Sequence, residues 1–307
     1  MDPSLRQIRY FIAVANSGQV SRAARDLNVS QSAVTTAIKQ LEEIIGTPLF
    51  RRHVRGVTLT YDGTIFLQHA QRVFVAVDEA IHAPRQSRSL VSGTLRLAMT
   101  YTVAGYYLPP HLERFARTHP QVQLQLTEAS RRDIESGLVS GAFDIGVMLT
   151  SNIVDQESIA YKTLMRSQRR LWLPTRHSLL QRVTITLQDV AEEAYIMLTV
   201  DDASNTAQRY WNLTSYRPKV LFRTSSVESV RSMVASGMGI TILSDMVYRP
   251  WSLEGRRVEV VPIADPVPTM DVGLAWANNV ELPTAAKAFA DFMTASAVAP
   301  GDEAHTP

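Results

Sequence analysis

The stretch Ser21-Arg22-Ala23-Ala24-Arg25-Asp26-Leu27-Asn28-Val29-Ser30-Gln31-Ser32-Ala33-Val34-Thr35 joins two short helices through a tight turn. The first, Val20 to Leu27, presents Ala23, Ala24 and Leu27 on one side. Asn28 and Val29 supply the turn, and Ser30 is placed to N-cap the second helix. That helix extends to about Ile45, where Gly46 closes it and Pro48 follows. Val34, Ile38, Leu41 and Ile45 form an apolar stripe along it, while Ser32, Thr35, Thr36 and Lys39 fall on the opposite face and Gln31 is exposed at the first turn. Two helices, the second with a small polar and basic outer face, make a helix-turn-helix pattern. An ordinary small bundle with a solvated face shows the same stripe.

The flanking residues favour the first reading. Upstream, Leu5, Ile8, Phe11, Ile12 and Ala15 give a preceding helix its core face, and Gly18 stops it. Downstream, residues Leu49 to Thr60 read as two short strands around a basic turn that carries Arg51, Arg52, His53, Arg55 and Gly56. A charged surface hairpin is common in itself, but one that directly follows a helix-turn-helix reads as a wing reaching a phosphate backbone or minor groove. Residues 1–60 hold eight Lys/Arg against four Asp/Glu, a net of +4, although the whole chain has only +2. The basic excess therefore sits where a polyanion would be met. Next, Asp62 is placed to cap a long helix extending to about Ile81. Its Phe66, Ala70, Val73, Val77 and Ala80 recur as an a/d seam, which reads as dimerisation or as core packing. Pro84 and Gln86-Ser87-Arg88-Ser89 then read as a linker.

From Gly93 the periodicity changes. Leu95 and Leu97 alternate with polar neighbours, as do Val122, Leu124 and Leu126, and Ile145, Val147 and Leu149 make a further strand. Helical stretches lie between them, including Leu108, Leu112 and Phe115, so a parallel sheet with helices on its faces is expected. An internal repeat implies two such lobes: Ile134…Leu138…Ser140-Gly141 before one strand matches Val230…Val234…Ser236-Gly237 before Ile240-Thr241-Ile242-Leu243. A cleft between two α/β lobes is a small-molecule site by geometry. Thr284 to Ala297 reads as a helix and Val298 to Pro307 as a tail.

Composition narrows the chemistry. The 307 residues are 45% hydrophobic and 20% charged, enough to bury cores in about two domains. With no cysteine, disulfides, thiolate catalysis and Cys-ligated metals are excluded. The seven His show no metal spacing, and no nucleophile elbow, P-loop, H-E-x-x-H or G-x-G-x-x-G after a strand occurs. Neither metal nor cofactor is expected, nor is catalysis. No apolar run approaches the ~20 residues that span a bilayer. Met1 to Arg6 shows no secretory pattern, so the cytoplasm is the expected location.

The ordered combination of Ser21 to Thr35 with Ile38, Leu41-Glu42, Gly46-Thr47-Pro48-Leu49-Phe50-Arg51-Arg52 and Leu59-Thr60…Gly63 resembles the LysR-type transcriptional regulators. A looser likeness continues through Gly93-Thr94-Leu95-Arg96-Leu97, Leu108-Pro109, Gly141-Ala142-Phe143-Asp144 and Val234-Ala235-Ser236-Gly237-Met238-Gly239. The resemblance implies an α/β protein with three parts: a winged helix-turn-helix (1–61), a linker helix and hinge that pair two subunits (62–90), and a two-lobed effector domain like a periplasmic binding protein (91–307). Lobe I is expected at about 91–163 and 268–300, lobe II at about 164–267. The implied partners are double-stranded promoter DNA, a small-molecule co-inducer of anionic or aromatic character, a homodimer assembling to a homotetramer, and RNA polymerase if the regulator activates. Relative to the family pattern, Thr35, Thr36 and Lys39 replace Ser or Arg, and Ala129 replaces a Gly beside the effector loop.

For DNA, the expected contacts are Gln31, Ser32, Thr35, Thr36 and Lys39 in the major groove, Ser30 as cap or phosphate contact, and Arg51, Arg52 and Arg55 on the backbone. Arg51 has Glu42 or Glu43 as an alternative partner. For the effector, the resemblance points to Thr100, Tyr101 and Thr102, followed by Ser130, with Thr199, Val200 and Ser226 from lobe II. A hydroxyl among free N–H groups suits an anion, although Thr100 also reads as a simple N-cap. Arg131 and Arg132 read either as partners of an acidic effector or as a solvated helix start. The rival reading is a solute-binding or metabolic protein whose N-terminal bundle only oligomerises.

Overall fold

The computed structural model describes residues 2–53, 56–82, 91–278 and 280–297. The chain divides into two compact units, one over the N-terminal residues to Ser89 and one over Leu90–Ala299.

The N-terminal unit begins with α1 (Leu5–Ser17), α2 (Val20–Asp26) and α3 (Gln31–Ile45). Ser4 and Gln7 form a capping box at the start of α1, and Gly18 ends it in the left-handed region with φ 69°. Asn28 makes the turn between α2 and α3 with φ 53°, a conformation Asn tolerates better than most L-residues. The strands β1 (Phe50–His53) and β2 (Gly56–Leu59) form an antiparallel hairpin. The Val57 N–H donates to Gly18 O at 2.8 Å, tying the hairpin to the end of α1. At Gly56, with φ 139°, a Cβ would stand 2.3 Å from Gly18 O, so this close approach requires glycine.

The helix α4 (Tyr61–His82) follows. Its first turn is capped by Thr60, whose Oγ1 accepts from Gly63 N–H at 2.9 Å, rather than by Asp62. Asp62 instead accepts from the Thr47 hydroxyl at 2.9 Å. The apolar seam also divides differently from expectation. Ala70 is buried and Phe66 packs edge-on to Phe11, with ring centroids 5.0 Å apart, so both serve the core formed by Ile8, Phe11, Leu41 and Leu49. α4 thus supplies part of the wall around Phe11. Val73 is 38% exposed and Val77 half-buried, so these two remain on an accessible face. Ala80, as a side chain, and residues 83–90 of the expected hinge lie outside the described residues.

The second unit contains two sheets. Its elements run β3 (Gly93–Met99), α5 (Tyr101–Tyr106), α6 (Pro109–Thr118), β4 (Val122–Glu128), α7 (Arg131–Val139), β5 (Ile145–Leu149) and β6 (Ile159–Ser167). They continue as β7 (Arg169–Pro174), α8 (Leu187–Ala191), β8 (Ala194–Leu198), α9 (Ala203–Asn212), β9 (Lys219–Thr224), α10 (Val227–Ala235), β10 (Thr241–Ser244), β11 (Val258–Val261), β12 (Met270–Ala277) and α11 (Thr284–Ala297).

In lobe I the strand order is β4-β3-β5-β12-β6; the first three are parallel and the last two antiparallel to their neighbours. In lobe II, β8 and β9 are parallel, and β10-β7-β11 are antiparallel. A parallel bridge, Tyr195 to Ile240, joins these two ladders, giving the order β9-β8-β10-β7-β11. The lobes thus share one plan, as the repeat implied. In both, a helix ends at a glycine in the left-handed region, Gly141 (φ 74°) or Gly237 (φ 78°), and feeds the third strand. The chain crosses between lobes at Gln168, because β6 stays paired with β12 up to Ser167. The expected boundary after residue 163 is therefore four residues early. Arg169 closes the return crossing: its Nη1 donates to Pro268 O and Thr269 O.

Candidate DNA interface and ligand cleft

On α3, Val34, Ala37, Ile38 and Leu41 are buried, whereas Gln31, Ser32, Thr36 and Lys39 are exposed and Thr35 is half-buried. Burying each large apolar side chain stabilises the head by roughly 1.5–3 kcal/mol, which fixes the polar face outward. Ser30 is the N-cap: its Oγ accepts from Ala33 N–H at 3.2 Å and lies 3.0 Å from Ser32 Oγ. The Thr35 hydroxyl donates to Gln31 O at 2.9 Å, which commits its one donor to the helix backbone. Gln31, Thr36 and Lys39 therefore offer the freest donors and acceptors for base edges.

The hairpin is joined to α3 by Glu42. Its Oε1 accepts from the backbone N–H groups of Leu49 and Phe50 at 2.7 and 3.1 Å. Glu42 thus positions the wing through its backbone and is not the partner of Arg51. Arg51 and Arg52 are both exposed on β1. Arg55 lies outside the described residues.

The lobes meet where α5 and α7 of lobe I contact Asp201 and Asp202 of lobe II. Thr100 precedes α5 at its N-cap position but makes no side-chain cap. The residue is 1% exposed and its buried hydroxyl has no hydrogen-bond partner, an orphan that native interiors rarely leave. Thr102 is buried, and both its N–H and its hydroxyl donate to Asp201 Oδ2, the N–H at 2.7 Å. Arg131 Nε donates to Asp202 Oδ2 at 2.7 Å and Nη1 to Glu135 Oε2 at 3.1 Å. Burial pulls the Arg131 pKa down, but the bonds to Asp202 and Glu135 outweigh it and the net shift is upward. At the far end of α5, Tyr106 Oη donates to Glu228 Oε1 at 3.0 Å, and Glu228 also pairs with the buried Arg231. Burial raises the Glu228 carboxyl, yet the Arg231 and Tyr106 contacts bring it below its ordinary value. Inside lobe II, Arg169, Tyr195, Tyr210 and Thr241 line a cavity of about 20 Å³, room for one water molecule.

Residues 5–64 match the family model for the bacterial regulatory helix-turn-helix protein, lysR family, and residues 88–297 match the LysR substrate binding domain. The chain belongs to the LysR family of transcriptional regulators. It is 32% identical over 292 residues to the HTH-type transcriptional regulator YwqM of Bacillus subtilis (strain 168), covering 94% of this chain and 97% of that one. It is 28% identical to AlsR of the same organism, covering 81% and 83% respectively. Among solved structures it is similar to HinK, a LysR family transcriptional regulator from Pseudomonas aeruginosa. That similarity has a TM-score of 0.62 at 26% identity and covers 96% of this chain and 99% of that one. The rival reading, a metabolic or solute-binding protein with an oligomerising bundle, is not favoured.

Within this LysR-type chain, the residues expected around the effector separate into two groups. Thr102 meets Asp201 of lobe II, and Tyr101 and Val200 pack against the same core. Ser130 and Ser226, by contrast, are engaged as helix caps. Ser130 accepts from Asp133 N–H and donates to Asp133 Oδ2, while Ser226 accepts from Ser229 N–H at 3.1 Å. Thr199 is tied through its N–H to Thr224 O at 2.9 Å. Arg131 is neither solvated nor free, being paired with Asp202. Sequence reasoning missed Asp201, Asp202, Asn152 and Glu228. The adjacent acids before a helical stretch were the available signal for the first two.

Proposed function

We propose that this LysR-type regulator binds double-stranded promoter DNA with α3 in the major groove and the β1–β2 wing on the backbone, and that a small anionic or aromatic effector enters the cleft beside α5. The observation that carries the reading is the division of α3 into a buried apolar stripe and an exposed row of Gln31, Ser32, Thr36 and Lys39. Gln31 and Lys39 read bases, Ser30 and Ser32 meet phosphate at the helix start, and Arg51, Arg52 and Arg55 hold the backbone. The regulator works without catalytic turnover, in the cytoplasm where promoter DNA lies, as a homodimer pairing into a homotetramer. Val73 and Val77 of α4 contribute to pairing. An effector changes DNA binding only through unequal affinity for two assembled shapes. Where the regulator activates, RNA polymerase is the further partner.

Footprinting of the full-length protein on DNA upstream of its own gene tests the first part. The expected result is an extended protected region with subsites about one helical turn apart or multiples of it, weakening steeply as salt rises. Absence of specific binding at any salt, on this DNA and in a genome-wide pull-down, would sink the reading. The cleft is tested with Thr100→Val, which replaces the orphaned hydroxyl by a methyl of similar size. A metabolite that raises the melting temperature of the wild-type protein should do so less for this variant.

A further inference from the structure

Asp201 and Asp202 form a strap between β8 and α9, and both adopt left-handed backbone angles, φ 52° and 59°. Two consecutive non-glycine residues in this region are uncommon and persist only where surrounding contacts hold them. Asp202 Oδ1 accepts from Asn205 Nδ2 at 3.3 Å within lobe II, and the strap's other side-chain contacts lead to lobe I. Asp201 Oδ2 accepts from the Thr102 N–H at 2.7 Å and from the Thr102 hydroxyl; the Asp201 carbonyl accepts from Asn152 Nδ2 at 3.0 Å; Asp202 Oδ2 accepts from Arg131 Nε at 2.7 Å. Asn152 turns back to lobe II, its Oδ1 accepting from the Thr206 hydroxyl and Arg209 Nη2 at 3.3 and 3.2 Å. The Thr102 N–H belongs to the first turn of α5, where no intrahelical acceptor exists. Without Asp201 it has no partner from its own helix.

Asp202 has a cation opposite it, but Asp201 is held by the neutral donors of Thr102 and Asn152. Its carboxylate therefore sits against Thr102 in the way a bound ligand would, supplied by the chain itself. We propose that the Asp201–Asp202 strap is a latch: the Asp201 carboxylate stands in for a ligand at Thr102 and holds the two lobes closed. An effector gains that corner only by taking the Thr102 donors from Asp201. The strain in the strap favours release, because the backbone relaxes once the lobe I contacts are lost. This consequence for the effector rests on the cleft reading proposed above; the latch itself is a property of the protein alone.

Hydrogen exchange on the full-length protein, without DNA or added ligand, tests it through the peptide covering Thr100 to Tyr107. Asp201→Gly removes the carboxylate while keeping a residue suited to positive φ. The expected outcome is exchange at the Thr102 amide at least tenfold faster than in wild type. Asp201→Asn, which keeps side-chain size and tolerates the same backbone, should give an intermediate rate and serves if the glycine variant does not fold. Wild-type protection at Thr102 in the variants overturns the latch. A thermal double-mutant cycle between Asp201→Asn and Thr102→Val gives an independent reading: non-additive shifts are expected, and strictly additive ones overturn the contact. Neither measurement involves promoter DNA or a metabolite, so failure of the latch and failure of the regulatory reading are separable.

Discussion

The outer face of α3 and the corner at Thr102 are both built from small polar residues, yet they are in opposite states. On α3 the side chains of Gln31, Ser32, Thr36 and Lys39 stand in solvent, with their hydrogen-bonding capacity largely uncommitted. At the corner, Thr102 is buried and both its donors are committed to Asp201. The first surface is ready for a partner as it stands. The second must exchange an internal contact for an external one. On the function proposed above, the difference divides the work: α3 would supply DNA affinity from a fixed face, and the Thr102–Asp201 contact would supply the response.

The comparison can be broken most forcefully from the buried side of α3. Leu41 is fully buried in the head, and Leu41→Ala should cost roughly 2–5 kcal/mol of stability. Operator binding should fall with the melting temperature of the head. An unchanged melting curve would mean that the polar face is not held by that stripe. Gln31→Ala sharpens the same point from the outer face. It should leave melting unchanged and lose about 1–3 kcal/mol of discrimination at one base position, read by binding to single-base operator variants. Equal losses on all sequences would make Gln31 a backbone contact instead.

A pH scan tests the effector domain. Burial, with Arg114 nearby, pushes His111 of α6 down to about 4, and its Nδ1 has no hydrogen-bond partner. Its ordinary value of about 6.5 applies in the unfolded chain. As pH falls from about 6.5 towards 4, the unfolded chain takes up a proton that the folded one refuses. Stability therefore declines over that window, by roughly 3 kcal/mol at most from this group, and is fully kept above it. His111→Gln should flatten that part of the stability profile measured by thermal melts. A parallel profile in the variant would assign the decline to other groups. The smallest effect is expected at the wing. Arg52→Ala should weaken all DNA alike and lower the slope of log affinity against log salt by about 1.

Elements built from neighbours in the chain were legible in advance. The Ser30 cap, the glycine stops at 18 and 46, the last helix over Thr284–Ala297 and the repeat around Gly141 and Gly237 all follow from local chemistry. The misreadings share one cause. Asp62 looked like a cap until Thr60 was seen to fill that role, and Phe66 and Ala70 looked like a seam until Phe11 was placed against them. Glu42, which with Glu43 was the alternative partner open to Arg51, is taken by the hairpin backbone. In each case a residue had more than one suitable partner, and three-dimensional proximity chose among them.

The sequence by itself determined the helix-turn-helix, the faces of α3, the change to α/β periodicity and the two-lobed plan. Helix periodicity, caps and turns are governed by residues within a few positions of each other, and the chain order displays them directly. Only the tertiary structure decided the crossing at Gln168, the role of Glu42 and the commitment of the Thr102 donors. Thr102 and Asp201 are 99 positions apart, and Arg131 and Asp202 are 71 apart. No local propensity pairs such residues. They meet because both lobes fold to the same plan and come into contact there, where a buried donor takes whichever acceptor the fold brings to it.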